Sequence, residues 1–366
     1  MPRASQPRKT AVEVRSPARL HVGMLAFGNP ALRSFGGVGM MVDRPGVHLR
    51  MRRGNRFEAR GPQSERALKF ARACAQAWNL GDAGCTIEVL AAPPGHVGLG
   101  SGTQLALSVA AAMSHLFVRE EDEDDDDLPA PPEHPLQFDA GPADHDWAFD
   151  AREVQEFARI TGRGRRSCVG VHGFSRGGLI VEAGRRVPAD ASAADDAMRE
   201  FSPMVARVRL PSAWRCVVIV GRDAAGLHGA EEAAAFAGLA AMDPAVSAEL
   251  ARLALLELLP AAVEAKFAEF TAALGAFGRL AGRPFADEAC RLPHTEATAH
   301  LLELLAELGA PGCAQSSWGP AVMACCESLE AAGELVENLE RLQLTRHHEI
   351  VISRFDSDGA SLRVLE

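Results

Sequence analysis

Residues 93–104 read Pro-Pro-Gly-His-Val-Gly-Leu-Gly-Ser-Gly-Thr-Gln and lie between two segments of different periodicity. Residues 86–90 have the pattern of a strand, and residues 103–117 carry an apolar stripe at helical spacing. The glycines let the backbone curl until several N–H groups point into one hollow, and the following helix adds unpaired N–H groups and its positive end. The stretch therefore predicts a phosphate or diphosphate site, where the hydroxyls of Ser101 and Thr103 can add a hydrogen bond or a magnesium ligand.

Two better-known glycine motifs do not fit this loop. A Walker loop requires Lys where Ser101 stands, and the dinucleotide fingerprint has a different spacing from that of Gly98, Gly100 and Gly102. The remaining alternative is an ordinary glycine-rich turn with a helix cap. The coincidence of strand, glycines, hydroxyls and helix favours the anion site.

A second glycine-rich segment, residues 309–320, reads Gly-Ala-Pro-Gly-Cys-Ala-Gln-Ser-Ser-Trp-Gly-Pro and is predicted to lead into a helix near 321–329. Trp318 is a large aromatic residue among hydroxyls and glycines. It can provide a flat wall of the same site, with Ser316 and Ser317 as hydrogen-bonding neighbours. The alternative, of equal weight from the sequence, is that Trp318 fills the interface between two domains.

Two further segments carry candidate anion ligands. Arg19 and His21 alternate with apolar residues, so on a strand they share one face. Such a face is useful beside an anion site and is otherwise only the polar side of a strand. Residues 172–178 are predicted to form a turn between strands at 168–172 and 179–182, with Arg176 as its strong anion ligand.

Composition limits the class of protein. The 366 residues suggest two domains, and 47% hydrophobic with 23% charged residues is an ordinary globular balance. The acidic run 120–127 contributes eight negative charges, so the rest of the chain carries only −2 of the net −10. No basic face, 5% aromatic residues and no Tyr argue against nucleic-acid binding. Without a long apolar run or a secretory signal, we expect a cytoplasmic protein that does not enter a membrane.

The order of predicted elements indicates an α+β fold. Strands are expected at 12–14, 38–42, 47–51, 216–220 and 349–353, and helices at 64–78, 149–160 and 324–342. We expect a disordered leader at 1–10, an N-terminal domain at 11–187 with an acidic disordered insertion at 119–145, and a C-terminal domain at 203–366. The eight Cys residues form no CxxC pair or zinc spacing, which favours buried apolar roles.

Residues 94–102 resemble the phosphate loop of the GHMP superfamily, which is best known for small-molecule kinases. The kinase loop continues Gly-Leu-Gly-Ser-Ser-Ala, whereas this chain has Gly-Leu-Gly-Ser-Gly-Thr-Gln. With Arg-Leu-His at 19–21, residues 157–166 leading into Phe-Ser-Arg-Gly-Gly at 174–178, and Gln-Ser-Ser-Trp-Gly-Pro at 315–320, the chain resembles the beta-ribofuranosylaminobenzene 5'-phosphate synthase family. The resemblance runs from about residue 18 to about residue 360, except for the acidic insertion.

The resemblance implies a two-domain GHMP-kinase-like fold and a small-molecule activity. Members condense phosphoribosyl pyrophosphate with 4-aminobenzoate or 4-hydroxybenzoate, releasing pyrophosphate and carbon dioxide, in tetrahydromethanopterin biosynthesis. Magnesium and a homodimer are expected. The candidate catalytic residues are Arg19, His21, Arg176 and Trp318. The candidate substrate-binding residues are His96, Gly98, Gly100, Ser101, Gly102, Thr103, Gln104, Gln315, Ser316, Ser317 and Gly319.

The chain departs from the pattern of the kinases and of its own relatives. Many GHMP kinases carry a catalytic Asp before the Gly-Gly pair, but no acid occurs between Arg163 and Val181. A kinase therefore ranks second, and a non-catalytic phosphometabolite-binding protein ranks third. Relatives are expected to have an Asp near Ala26 or Phe27, so the metal ligands cannot be named from the sequence. The para substituent of the aromatic acid stays open.

Overall fold

The computed structural model describes residues 11–29, 32–118, 138–139, 149–187, 200–222, 226, 234, 238–285 and 295–365. The predicted leader at 1–10 and nearly all of the acidic insertion at 119–145 lie outside these residues. So does most of the boundary expected at 188–202. The predicted division into domains at 11–187 and 203–366 stays a prediction, because described strands from both ranges share one sheet.

The larger sheet has eight described strands: β1 (Ala11–Met24), β2 (Gly37–Gly54), β3 (Glu58–Arg60), β4 (Gly84–Ala91), β5 (Phe138–Asp139), β6 (Leu179–Glu182), β7 (Met204–Val208) and β12 (Ser361–Leu365). Six of them lie in the order β12-β1-β2-β6-β7-β5, while β4 pairs with β2 and β3 pairs with β4. The strands predicted at 38–42 and 47–51 are parts of the single strand β2. Its first residues pair with β6 and its last residues pair with β4.

Four described helices accompany this sheet: α1 (Ser64–Ala77), α2 (Ser101–Met113), α3 (Ala151–Ile160) and α4 (Val169–Arg176). Helix α2 is central, because every residue of it except Gly102 and Thr103 is buried. The exposed end of α2 is thus its first turn, directly after the glycine-rich loop. A short π-helical segment, Ser114–Val118, continues it.

The smaller sheet is formed by β8 (Arg215–Gly221), β9 (Cys313–Gln315), β10 (Val322–Cys326) and β11 (His348–Arg354). Their order is β11-β8-β10-β9, and each strand pair is antiparallel. The helices described in this part are α5 (Pro244–Leu253), α6 (Leu259–Val263), α7 (Phe267–Gly282), α8 (Thr295–Glu307) and α9 (Leu329–Arg341). Pro260 is the second residue of α6, and a π-helical turn at Ala254–Leu258 separates α6 from α5.

Two predicted elements are wrong. The strand expected at 168–172 is part of helix α4, and the turn expected at 172–178 is therefore the end of a helix. Seven of the eight α4 residues are buried, so the helix has no polar face from which its period could be recognised. Similarly, the helix expected at 321–329 and 324–342 begins only at Leu329, after the fully buried strand β10.

The structure confirms the buried role predicted for the cysteines it describes. All seven are free and buried. Burial raises the pKa of the Cys74 and Cys168 thiols to about 12, which keeps them protonated at neutral pH. Among the described helices, none combines the length and apolar character needed to cross a bilayer.

Candidate functional site

The glycine-rich loop exposes the N-terminus of α2. Gly98 and Gly100 have φ angles of +95° and +65°, a backbone conformation that glycine adopts without strain. Gly100 is the N-cap residue, and no side chain caps the helix. Its carbonyl accepts hydrogen bonds from the N–H groups of Thr103 and Gln104 at 3.0 and 3.1 Å. The first turn at Ser101 and Gly102 therefore presents N–H groups outward, as an anion site requires.

The second glycine-rich segment packs directly on this loop, so the structure brings the two predicted segments together. Ser316 Oγ donates to the Gly98 carbonyl at 2.7 Å, and the Ala321 N–H donates to the Val97 carbonyl at 3.0 Å. A Cβ on Gly319 would lie only 2.1 Å from the Val97 carbonyl carbon. The contact is between backbones and leaves no room for a side chain at Gly319.

Arg19 and His21 extend from β1 beside the two loops. The Arg19 N–H donates to the Leu99 carbonyl at 3.1 Å, and Arg19 Nη1 donates to the Gly98 carbonyl at 3.4 Å. The His21 N–H donates to Ser316 Oγ at 3.0 Å, and its carbonyl accepts from the Ser317 N–H at 2.8 Å. Together these bonds hold β1 and both loops in one cluster.

The His21 ring is buried and neutral. Burial, helped by the nearby Arg19 charge, lowers the pKa of this imidazole well below its ordinary value. Its Nε2 is buried and makes no hydrogen bond to any residue that the structure describes. The His21 imidazole is therefore an uncharged, buried group beside the two loops.

Several predicted ligand side chains donate hydrogen bonds to backbone carbonyls of the site itself. Ser101 Oγ donates to Pro94 at 3.0 Å, Gln104 Nε2 to Gly170 at 2.8 Å, and Gln315 Nε2 to Gly319 at 2.9 Å. In this structure these three side chains fix the shape of the loops. Their role in substrate binding stays a prediction.

Two residues of the site that are not glycine have left-handed backbone conformations. His96 has a φ of +64° and Ser317 a φ of +58°, one in each loop. The exposed His96 is held through its carbonyl, which accepts from the Gly226 N–H at 3.0 Å. Such conformations cost about 1 kcal/mol or more and are concentrated at functional sites.

The place of Arg176 in the site stays a prediction. The N-terminal turn of α4 contacts the site at Gly170, where a Cβ would lie 3.5 Å from Thr103 Cγ2. Arg176 is the last residue of α4, about 9 Å farther along the helix axis. Its carbonyl there accepts a hydrogen bond from Arg207 Nε.

The sequence analysis missed two arginines at the first turn of α2. A Cβ on Gly102 would lie 2.3 Å from Arg66 Nη2 and 3.6 Å from Arg163 Nη1. The Arg163 guanidinium also stacks on the Phe70 ring at 4.8 Å. Burial, together with the charges of Arg66 and Arg165, lowers the pKa of Arg163 to about 10, so it remains charged at neutral pH.

Glu182 is a third residue that the sequence analysis missed. It is fully buried, and its two oxygens accept from the Cys168 N–H at 3.0 and 2.8 Å, at the start of α4. Burial raises the pKa of this carboxyl to about 7. The acid is the last residue of the strand predicted at 179–182, and nothing else in the sequence marked it.

A cavity of about 420 Å³ opens beside the second loop. Its walls come from β1, α7, α8, β9 and the second loop, and they include His21, Met24, Leu302, Ser317 and Trp318. Trp318 is only 8% exposed. The mainly apolar walls and the indole suit a flat ring with few polar groups.

Whether this protein uses magnesium stays a prediction. They contain no group of three or more His, Cys, Asp or Glu side chains placed to hold a metal ion. Ala26 and Phe27, where an Asp was expected, are buried and apolar. A magnesium ion is usually held by one or two carboxylates together with substrate phosphates. The positive charges that the structure places at this site are those of arginines.

Comparison with curated proteins gives relatives of one kind. The chain is 29% identical over 270 residues to the beta-ribofuranosylphenol 5'-phosphate synthase of Archaeoglobus fulgidus, covering 72% of this chain and 74% of that protein. It is 26% identical over 329 residues to the synthase of the same name from Methanothermobacter thermautotrophicus, covering 84% and 87%. No protein-family model matches the chain. The relatives confirm the resemblance that the motifs predicted.

Solved structures confirm the fold. Homoserine kinase from Cytophaga hutchinsonii superimposes with a TM-score of 0.58 at 16% identity, covering 98% of this chain and 99% of the kinase. Mevalonate pyrophosphate decarboxylase from Streptococcus pyogenes gives 0.60 at 14% identity, covering 96% and 99%. The fold is thus the α+β fold of the GHMP superfamily, as predicted, and at these identities the likeness extends to the fold alone.

Proposed function

We propose that this protein is a decarboxylating C-riboside synthase, a pentosyltransferase that joins phosphoribosyl pyrophosphate to 4-aminobenzoate or 4-hydroxybenzoate. The products are the ribosylated aromatic 5'-phosphate, pyrophosphate and carbon dioxide. The observation that carries the proposal is the pairing of an anion site with an apolar cavity across one shared wall, the loop at 316–319. The names of the sequence relatives support the same chemistry.

The anion site accounts for departure of the diphosphate. As the bond between C1 of the ribose and the diphosphate oxygen breaks, the electron pair leaves with that oxygen and negative charge grows there. The N–H groups at Ser101 and Gly102, together with the Arg19 guanidinium, are positioned in advance to stabilise that charge. We expect magnesium to enter bound to the diphosphate of the substrate rather than to protein carboxylates.

The cavity accounts for the second half of the reaction. The ring carbon that bears the carboxylate attacks the electron-poor C1, forming the new carbon–carbon bond. The bond to the carboxylate then breaks, its electron pair restores the aromatic ring, and carbon dioxide leaves. No proton has to leave the ring carbon, so the reaction needs no strong base. The neutral His21 and the lack of an acid between Arg163 and Val181 agree with this requirement.

The kinase alternative rests on the fold shared with homoserine kinase. Against it, Glu182 is the first acid after Arg163, and its two oxygens are engaged by the start of α4. A non-catalytic protein that binds phosphoribosyl pyrophosphate without turning it over is the third possibility. For the synthase we also propose a cytoplasmic homodimer acting in tetrahydromethanopterin biosynthesis.

The first experiment follows label from carboxyl-labelled 4-aminobenzoate or 4-hydroxybenzoate into carbon dioxide. The purified protein is incubated with phosphoribosyl pyrophosphate, with and without magnesium, beside an ATP control with homoserine or mevalonate. Label release that depends on phosphoribosyl pyrophosphate supports the synthase. Phosphate transfer in the ATP control without label release would return the chain to the kinases, and silence in both would favour the binding protein.

Trp318 tests the assignment of the cavity to the aromatic ring. Trp318→Ala removes the flat wall, so we expect KM for the aromatic acid to rise about tenfold while KM for phosphoribosyl pyrophosphate changes little. Trp318→Phe keeps a flat ring and serves as the matched control, with a smaller change expected. Unchanged aromatic-acid kinetics in Trp318→Ala would mean that the ring binds elsewhere.

A further inference from the structure

Arg66 and Arg163 place two positive charges side by side at the first turn of α2. Both guanidinium groups occupy the space next to Gly102. In the part of the chain that the structure describes, neither forms an ion pair with a carboxylate, and burial lowers the pKa of each. Arg66 Nη1 is satisfied by Gln63 Oε1 at 2.6 Å, but Arg163 Nε is buried without a hydrogen-bond partner.

Two partly buried like charges without a counter-ion are unfavourable in the empty protein. The repulsion is visible in the pKa of Arg163, which the charges of Arg66 and Arg165 lower further after burial. An anion bound between the two guanidinium groups attracts both of them, so the net electrostatic interaction at this position becomes favourable. The planar guanidinium forms paired hydrogen bonds with phosphate oxygens, so a phosphate group suits this position.

We propose that Arg66 and Arg163 form a phosphomonoester subsite beside Gly95 and Gly102, at the edge of the glycine-rich loop away from the second loop, and that this subsite takes the 5'-phosphate of the phosphoribosyl substrate. The inference rests on the proposed function, because that function supplies a substrate with two separate anionic groups. The loop binds the diphosphate at C1, and the arginines bind the phosphate at the other end of the ribose.

The arrangement of the surrounding contacts supports this division. The second loop contacts Val97 and Gly98 and forms part of the cavity proposed for the aromatic ring. The arginines are instead next to Gly95 and Gly102, and the cavity walls contain neither of them. The 5'-phosphate is also the end of the substrate remote from C1, where the aromatic ring attacks.

Binding of two small probes tests the subsite independently of catalysis. Ribose 5-phosphate and inorganic pyrophosphate are titrated separately and together into the full-length protein by calorimetry. We expect both to bind at once. Arg66→Gln and Arg163→Gln should raise Kd for ribose 5-phosphate by about tenfold or more and change Kd for pyrophosphate less than about threefold. Retained pyrophosphate binding also shows that the variants fold.

Arg72→Gln is the matched control, since Arg72 is an exposed arginine on the same helix α1 and should change neither Kd. Competition between the two probes for one site would overturn the proposed subsite. An equal loss of affinity for ribose 5-phosphate and for pyrophosphate in Arg66→Gln would overturn it as well. If label release occurs but these variants keep their KM for phosphoribosyl pyrophosphate, the subsite fails and the synthase stands. If ribose 5-phosphate binding depends on the arginines but no label is released, the subsite stands and the synthase fails.

Discussion

Glu182 and His21 are buried groups on either side of one glycine. Gly37 pairs with Glu182 across β2 and β6, and His21 Nε2 lies 2.9 Å from the position that a Cβ on Gly37 would take. Burial favours the neutral form of each, raising the pKa of Glu182 and lowering that of His21. Burial thus disfavours a charge on both groups, a negative one on Glu182 and a positive one on His21.

Glu182 predicts a specific dependence of stability on pH. The pKa of this carboxyl in the folded protein is about 7, above the ordinary 4.5. The contribution of Glu182 to the unfolding free energy is therefore complete below pH 4.5 and is lost as the pH rises through 7. We expect Glu182→Gln, which does not ionise, to gain up to about 3 kcal/mol in unfolding free energy relative to the natural protein between pH 5 and 8. Urea unfolding of both proteins at pH 5 and pH 8 measures the difference in unfolding free energy. A difference that stays constant between the two pH values would contradict the prediction.

At this scale, local motifs were predictable and long-range partners were not. The loop glycines, Arg19, His21 and Ser316 came from motifs and form one cluster in the structure. Arg66 and Arg163 reach Gly102 from α1 and from the turn after α3, where an arginine has no distinguishing pattern among the 38 basic residues. Their importance arises only from the distance between them in space.

At the scale of elements, the two glycine-rich segments act as one unit because their backbones touch. Gly319→Ala places a Cβ 2.1 Å from the Val97 carbonyl and 2.2 Å from the Gly98 nitrogen, so the loops must separate. We expect about 2 kcal/mol or more of destabilisation and a loss of pyrophosphate affinity, because the loop no longer holds its N–H groups in place. Thermal unfolding and calorimetric titration measure the two effects.

Gly333→Ala is the matched control for this substitution. Gly333 lies within α9, and a Cβ there meets nothing within 4 Å. Ala is favoured over Gly in a helix by about 1 kcal/mol, so this variant should be at least as stable as the natural protein. Equal behaviour of the two variants would show that the backbone contact at Gly319 has no special effect.

Elements with an exposed face were predictable, whereas fully buried ones were assigned to the wrong type. Helix α1 has alternating buried and exposed positions and ends within one residue of its predicted limits. Helix α4 and strand β10 are buried nearly throughout, so neither shows a polar side that would reveal its period. Tertiary contacts decide the conformation of such segments.

At the scale of the whole molecule, the end of the chain returns to its beginning. Strand β12, which the sequence analysis missed, pairs with β1 at the edge of the larger sheet. The buried Glu13 of β1 joins the neighbouring strands through Arg50 of β2 at 2.7 Å and Arg363 of β12 at 3.4 Å. The hydrogen bond from Arg50, with those from Arg15 and His48, lowers the pKa of Glu13 to about 2.

Glu13 therefore predicts a loss of stability on acidification that is opposite in sign to the effect of Glu182. The contribution of the Glu13 carboxylate to the unfolding free energy is present above the ordinary pKa of 4.5 and is lost as the pH falls toward 2. We expect Glu13→Gln to lower the unfolding free energy at pH 7 by about 1–2 kcal/mol, since its arginine partners are largely exposed to solvent. The difference should shrink below pH 4.5, and amide exchange in β12 should accelerate.

Glu88→Gln is the control, because its partner Arg60 is an exposed residue of the same sheet and the pair should contribute less than about 1 kcal/mol. The effects of Glu13→Gln and Glu88→Gln are compared by measuring unfolding free energies at pH 7 and 3.5. Hydrogen exchange of the β12 amides is measured in the same two variants. Equal losses in Glu13→Gln and Glu88→Gln would mean that Glu13 does not hold the chain end in place. A larger loss in Glu13→Gln, confined to pH values where its carboxylate is charged, links the last strand to the sheet that carries Arg19 and His21.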